Sequence, residues 1–121
     1  MNIFRKRIVK LVQNYIDDLN WSMKGAKSRE ERRQIVYGLS AADDILERIL
    51  ESYADPADIV SEYIDIMDEY CTKNQKNSYM FSVGYDTAYD IYDRLLTYYD
   101  NLYSYADEEG RRYRTGIREK I

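Results

Sequence analysis

The sequence predicts an all-α protein, an antiparallel up-and-down four-helix bundle with two long helices at about residues 28–53 and 78–106. Apolar residues recur at helical spacing in four separate segments. One proline and five glycines among 121 residues leave few enforced breaks, and the connections between segments are short and polar, which favours antiparallel neighbours. We expect residues 1–109 to form the helical bundle domain and residues 110–121 to form a basic C-terminal tail.

The first two helices have recognisable starts and apolar faces. The first is predicted over residues 3–21, and the second opens at Ser28, which forms a Ser-x-x-Glu capping box with Glu31. The predicted buried face of the second helix contains Ile35, Leu39, Ala42, Leu46, Ile49 and Tyr53. Gly38 and Ala42 form a patch of small residues there. Because glycine inside a helix costs about 1 kcal/mol relative to alanine, this patch predicts close packing against another helix.

The third helix begins at the clearest boundary in the chain, where Asp55 is a suitable N-cap and Pro56 a suitable first helical residue. Its predicted inward side contains Ile59, Val60, Tyr63, Ile64, Met67, Tyr70 and Cys71. A polar loop follows, and Ser78 opens the fourth helix, for which Gly110 is the predicted stop. Gly84 and Ala88 in this helix match the small-residue patch of the second, so we expect the two long helices to cross there.

The fourth helix carries three parallel stripes of side chains: apolar, tyrosine and aspartate. The chain has fourteen tyrosines against two phenylalanines, and tyrosine suits half-buried positions and interfaces because its ring is apolar and its tip is polar. Half the helix circumference is apolar or aromatic, which is more than one neighbour covers. The candidate partner-binding residues on this helix are Tyr85, Asp86, Tyr89, Asp90, Tyr92, Asp93, Tyr99, Asp100 and Tyr103.

Charge is distributed unevenly along the chain. The net charge of -4 is the balance of +5 over residues 1–33, -13 over residues 34–109 and +4 over residues 110–121. An acidic centre can attract a cationic partner and repel nucleic acid. Alternatively, the basic ends fold back against the acidic helices and neutralise them.

The residue types exclude several chemistries. The absence of histidine removes serine–histidine and cysteine–histidine nucleophiles and imidazole zinc sites. No P-loop, G-x-G-x-x-G or EF-hand motif occurs, and Cys71 is alone on an apolar face. We therefore expect no enzymatic activity, no cofactor and no metal. No apolar run is long enough for a membrane span, the expected location is the cytoplasm, and no internal repeat is evident.

Two interaction hypotheses and one ligand hypothesis remain. The preferred one is a protein-interaction domain, more narrowly an acidic inhibitor that imitates nucleic acid, of the kind found in phages and mobile elements. Its carboxylates at positions 86, 90, 93 and 100 have a mean spacing of about 7 Å along the helix, comparable with that of phosphates along a DNA strand. The alternatives are nucleic-acid binding through the basic N- and C-terminal ends and binding of a small planar ligand between tyrosines. The expected partner is a protein with a cationic surface, a homodimer is left open, nucleic acid is less favoured, and no membrane is expected.

Overall fold

Four α-helices account for nearly all of the described chain. The computed structural model describes the backbone of residues 2–73 and 75–120 and the side chains of residues 2–73 and 76–102. The helices are α1 (Ile3–Gly25), α2 (Arg29–Glu51), α3 (Pro56–Lys73) and α4 (Ser78–Lys120), with a single 3-10 turn at Gln75–Asn77 before α4. No strand occurs in this described part. The predicted all-α four-helix bundle is confirmed.

Local side-chain hydrogen bonds define the starts of α2 and α3. Ser28 Oγ accepts the backbone N–H of Glu31 at 3.0 Å, and Glu31 Oε2 accepts the backbone N–H of Lys27 at 2.9 Å. The predicted capping box is therefore present, with the carboxylate reaching one residue further back than in the standard motif. Asp55 Oδ1 accepts the backbone N–H of Ala57 at 3.0 Å, which confirms it as the cap of α3.

The bundle consists of two helical hairpins packed face to face. α1 packs mainly on α2, α3 packs mainly on α4, and the two hairpins meet chiefly where α2 crosses α4. Phe4, at the start of α1, lies 5.4 Å from the Tyr99 ring, whereas Tyr15, further along α1, lies 4.7 Å from the guanidinium of Arg94. α1 and α4 are therefore antiparallel. The fully buried core side chains are Ile8, Val12, Ala42, Ile45, Ile49, Val60, Ala88, Ile91 and Leu95.

Small residues allow α2 and α4 to approach closely. A methyl group added at Gly38 would lie 3.3 Å from Thr87 Oγ1 on α4. One added at Gly84 would lie 3.8 Å from Ala41 Cβ on α2 and 2.9 Å from Met67 Sδ on α3. The predicted close crossing of the two long helices is confirmed, and each glycine lies against a residue of the opposite hairpin.

The buried face of α2 differs from the predicted one. Gly38, Ala41, Ala42, Ile45 and Ile49 are buried, whereas Ile35, Leu39 and Leu46 are only partly buried. The small side chains at positions 41 and 42 allow α4 to approach α2 on that side. The buried face of α2 is therefore rotated about the helix axis relative to the face that contains its largest apolar residues.

Three helix-end predictions are wrong. Tyr53 lies beyond the end of α2 at Glu51 and is fully exposed, and Tyr70, near the end of α3, is 44% exposed. Gly110 does not end α4, whose backbone continues to Lys120. A glycine stop depends on a left-handed backbone, and no glycine in the described part has a positive φ. Whether residues 110–121 act as a separate tail stays a prediction, because their side chains lie outside the described set.

Candidate functional site

The exposed carboxylates of α4 form the aspartate stripe, defined as Asp86, Asp90, Asp93 and Asp100. Two ion pairs occur among the described side chains, Arg48 with Asp44 at 3.7 Å and Lys73 with Glu69 at 2.5 Å. Neither involves the aspartate stripe. Within the part of the chain whose side chains are described, the basic N-terminal region therefore forms no ion pair with this stripe.

Five of the predicted partner-binding residues line one groove of about 610 Å³, and these are Tyr85, Asp86, Tyr89, Asp90 and Asp93. Tyr15 and Leu19 of α1 and Gly38 of α2 contribute to its walls. We call it the α1–α4 groove. It combines aromatic rings with carboxylates, a combination that attracts cationic groups both by charge and through the π face.

Tyr15 is a wall residue of this groove that the candidate partner-binding set does not contain. It is 9% exposed, and the guanidinium of Arg94 lies 4.7 Å from its ring centroid. Burial raises the pKa of Tyr15 to about 12, and the adjacent Asp90 carboxylate acts in the same direction. The Tyr15 hydroxyl thus stays protonated at neutral pH beside the Asp90 carboxylate. No local sequence signal pairs residues of α1 and α4, so this contact could not be predicted.

Some tyrosines of α4 pack against the core, whereas others are exposed to solvent. Tyr85, Tyr89 and Tyr92 follow one another with ring centroids 5.9 and 6.4 Å apart. Tyr85 and Tyr92 pack against the core, whereas Tyr89 is 47% exposed. Tyr89 is therefore the member of this row that a partner can reach most readily.

Tyr99 and Asp100, two further predicted site residues, do not line the groove. The hydroxyl of Tyr99 donates to Asp55 Oδ1 at 2.7 Å and its ring contacts Phe4. Because Asp55 lies in the α2–α3 connection, Tyr99 stabilises the position of this connection against α4. Burial, followed by the Asp55 carboxylate, raises the pKa of Tyr99. Asp100 is exposed about two turns beyond Asp93, and the side chain of Tyr103 lies outside the described residues.

Two arginines of the basic N-terminal region have structural contacts. The guanidinium of Arg5 donates to the backbone oxygens of Ile49 at 2.5 Å, of Ala54 at 3.1 Å and of Ser52. It therefore caps the C-terminus of α2, where carbonyls lack helical partners and attract positive charge. Arg33 donates to the Tyr37 hydroxyl at 2.9 Å.

The described side chains offer little for metal or thiol chemistry. They contain no group of three or more histidine, cysteine, aspartate or glutamate residues that could hold a metal ion. Burial, followed by the charges of Asp68 and Asp86, raises the pKa of the Cys71 thiol. Since the thiolate is the nucleophilic form, this environment disfavours a reactive cysteine.

The fold and the groove define the class of the protein as an all-α four-helix bundle with carboxylates and tyrosines exposed along its longest helix. Comparisons with protein-family models, with curated proteins and with solved structures give no match. In the described part of the chain, no helix combines the length and the apolar character that crossing a membrane requires.

Proposed function

We propose that the protein is a non-enzymatic interaction domain that binds a protein partner through the outer face of α4. The observation that carries this proposal is the aspartate stripe, whose exposed carboxylates form no ion pair with any described side chain. Unpaired carboxylates of one sign along one element create a directional field that steers a cationic partner toward it.

The α1–α4 groove supplies the contacts that charge alone does not give. Exposed ion pairs contribute only up to about 1 kcal/mol each, whereas aromatic residues are enriched among the residues that dominate binding energy. Tyr89 lies in the groove beside Asp86, Asp90 and Asp93. Arginine and lysine side chains of a partner would stack on this ring while pairing with the carboxylates. A partner that normally binds nucleic acid has such a surface, which makes an inhibitor that imitates nucleic acid the narrower form of the proposal.

The nucleic-acid alternative has less support from the contacts. Arg5 is engaged with backbone oxygens and Arg33 with Tyr37, so part of the basic N-terminal region stabilises the fold. Free phosphate-binding groups would have to come from the other basic residues of that region and from residues 110–121, whose side chains are not described. The protein-binding function predicts a cationic ligand, and the nucleic-acid-binding function predicts an anionic one. Binding experiments can therefore distinguish the two.

The test compares binding of a labelled oligoarginine peptide to three forms of the protein by fluorescence anisotropy. The stripe variant changes Asp86, Asp93 and Asp100 to Asn and retains Asp90, because Asp90 interacts with Tyr15. The matched control removes the same charge from exposed positions of α3 and is Asp58→Asn, Glu62→Gln and Asp65→Asn.

At about 0.5 kcal/mol per exposed pair, the stripe variant should bind about tenfold more weakly than the wild type. The control should bind nearly as well as the wild type, and added salt should reduce the difference. Equal weakening in both variants would show that only net charge matters and would refute a defined binding face. Tight, salt-sensitive retention of random duplex or single-stranded DNA in a gel shift would instead favour the nucleic-acid alternative.

A further inference from the structure

The two hairpins resemble each other in sequence. Residues 11–19 of α1 match residues 59–67 of α3 at a shift of 48, with four of nine positions identical. Residues 36–53 match residues 82–99 at a shift of 46, with seven of eighteen identical. The identical pairs are Val12/Val60, Tyr15/Tyr63, Ile16/Ile64, Asp17/Asp65, Gly38/Gly84, Ala42/Ala88, Asp44/Asp90, Ile45/Ile91, Arg48/Arg94, Leu50/Leu96 and Tyr53/Tyr99.

The expectation that no repeat is present is therefore wrong. The shift changes from 48 to 46 because the segment between the two matched blocks, residues 68–81 in the second hairpin, is two residues shorter than residues 20–35 in the first. α1 and α3 still end at equivalent positions, Gly25 and Lys73. Tyrosines at positions 85 and 92 replace Leu39 and Leu46, which conceals the shared apolar pattern.

The repeated residues form the same contact twice, once in each direction between the hairpins. Tyr15 of the first hairpin lies 4.7 Å from the guanidinium of Arg94 and interacts with Asp90 of the second. Tyr63 of the second hairpin lies 5.1 Å from the guanidinium of Arg48 and interacts with Asp44 of the first. We call these two contacts the tyrosine braces.

The small-residue contacts are reciprocal in the same way. Gly38 lies against Thr87, and Gly84 lies against Ala41. Positions 41 and 87 are equivalent under the shift of 46 that relates the two glycines. Contacts in which residue i meets residue j and the equivalent of j meets the equivalent of i define a two-fold, self-complementary interface.

The grooves beside the braces are equivalent as well. The α1–α4 groove contains Tyr15, Gly38 and Asp90, and a second groove of about 380 Å³ contains their counterparts Tyr63, Gly84 and Asp44. The two grooves differ where α4 has acquired Asp86 and Tyr89 in place of Ser40 and Asp43. The residues that form the braces and the glycine contacts are thus the same in both grooves. The positions that differ lie on the outer face of α4, which we propose as the partner-binding face.

We infer that the chain is a duplicated helical hairpin whose two copies pack against each other with two-fold symmetry. The face that joins the two hairpins is then an interaction surface that fits a second copy of the hairpin. That second copy can come from another molecule of this chain. The partner is specified by the reciprocal braces and glycine contacts, which any second copy reproduces. Only residues 52–55 connect the hairpins, so the pairing inside one chain depends on the bend at this connection. Exchange of identical elements through such a connection is a known route to dimers.

The test removes the bend and leaves the residues of the tyrosine braces and the glycine contacts unchanged. Replacing Ser52, Tyr53, Asp55 and Pro56 by Ala makes residues 29–73 one continuous helix-forming segment, which holds the two hairpins of one chain apart. The expected product is a dimer with twice the 14.5 kDa chain mass by light scattering, with helical circular dichroism like that of the wild type. Inserting Gly-Ser-Gly-Ser after Tyr53 in the natural chain is the matched control, and it should leave a monomer or the wild-type state.

A second pair of variants shows whether the dimer uses the same face. Gly38→Leu, added to the straightened chain, should weaken the dimer by about tenfold or more, because position 38 lies against Thr87 of the opposite hairpin. Ser82→Leu, at an exposed position of α4, should not. A straightened chain that stays monomeric at high concentration, folded or unfolded, would overturn the inference, as would a dimer indifferent to Gly38→Leu.

Double-mutant cycles in the natural chain provide an independent measurement. The cycles pair Tyr15→Phe with Asp90→Asn and Tyr63→Phe with Asp44→Asn. In both, the double variant should lower the urea midpoint no more than the larger single variant does. Coupling in one cycle and additivity in the other would contradict the two-fold relation.

Discussion

Replacement of Gly38 by leucine tests the crossing of the long helices most directly. The first added carbon alone would lie 3.3 Å from Thr87 Oγ1 and 3.5 Å from Leu19 Cδ1, and leucine adds three further carbons beyond it. Overpacking of a buried site costs about 1–3 kcal/mol, while the better helix propensity of leucine returns somewhat less than 1 kcal/mol. We expect a net loss of up to about 2 kcal/mol in the free energy of unfolding.

Two matched glycine variants separate packing from propensity. Gly25 has no neighbour within 4 Å of an added methyl group, so Gly25→Ala should stabilise the protein by up to about 1 kcal/mol. Gly38→Ala should be close to neutral, because the same gain is offset by the contact with Thr87. Urea denaturation followed by circular dichroism measures all three. A Gly38→Leu protein as stable as Gly25→Ala would refute the close packing described for α2 and α4.

Two further predictions concern single groups. Arg5→Ala should lower the free energy of unfolding by about 1–3 kcal/mol, because a charged donor to three carbonyls is lost; Lys6→Ala, at an exposed position, should have little effect, and equal losses would contradict the capping role. The pKa values of Tyr15 and Tyr63 are raised from 10.0 to about 12, so their stabilising contribution is complete below pH 10 and is lost as pH rises to about 12. Tyrosinate absorbance and urea midpoints across this range test it, with a Tyr15→Phe, Tyr63→Phe double variant expected to show a smaller decline.

The starts of the helices were predictable because capping is local. Ser28 forms its predicted hydrogen bond with the backbone of Glu31, the Glu31 carboxylate binds the backbone of Lys27 one residue beyond the predicted position, and Asp55 caps α3 as expected. The apolar period likewise located the buried stripe of α4. The buried face of α2 could not be predicted from the spacing of its apolar residues alone. The helix packs against α4 through the side that contains Ala41 and Ala42.

Only the α4 wall of the α1–α4 groove could be predicted from the sequence. The stripes of α4 placed Tyr89 and Asp93 at a shared surface, but the opposing wall depends on which helix packs beside it. Nothing near Tyr15 in sequence indicates Asp90 as its neighbour, and nothing near Arg5 indicates the end of α2. The repeat is present in the sequence, where Gly38 and Gly84 occupy equivalent positions, but the change of shift between the two helices of a hairpin obscures it.

The reciprocal hairpins also shape the order in which the chain can fold. Contacts within each hairpin join residues close in sequence, and such contacts form early, whereas the Tyr15–Asp90 brace spans most of the bundle and must await docking. Because the hairpins are equivalent, folding has two alternative starting points rather than one. A substitution that weakens one hairpin would divert folding through the other, so it should speed unfolding more than it slows folding.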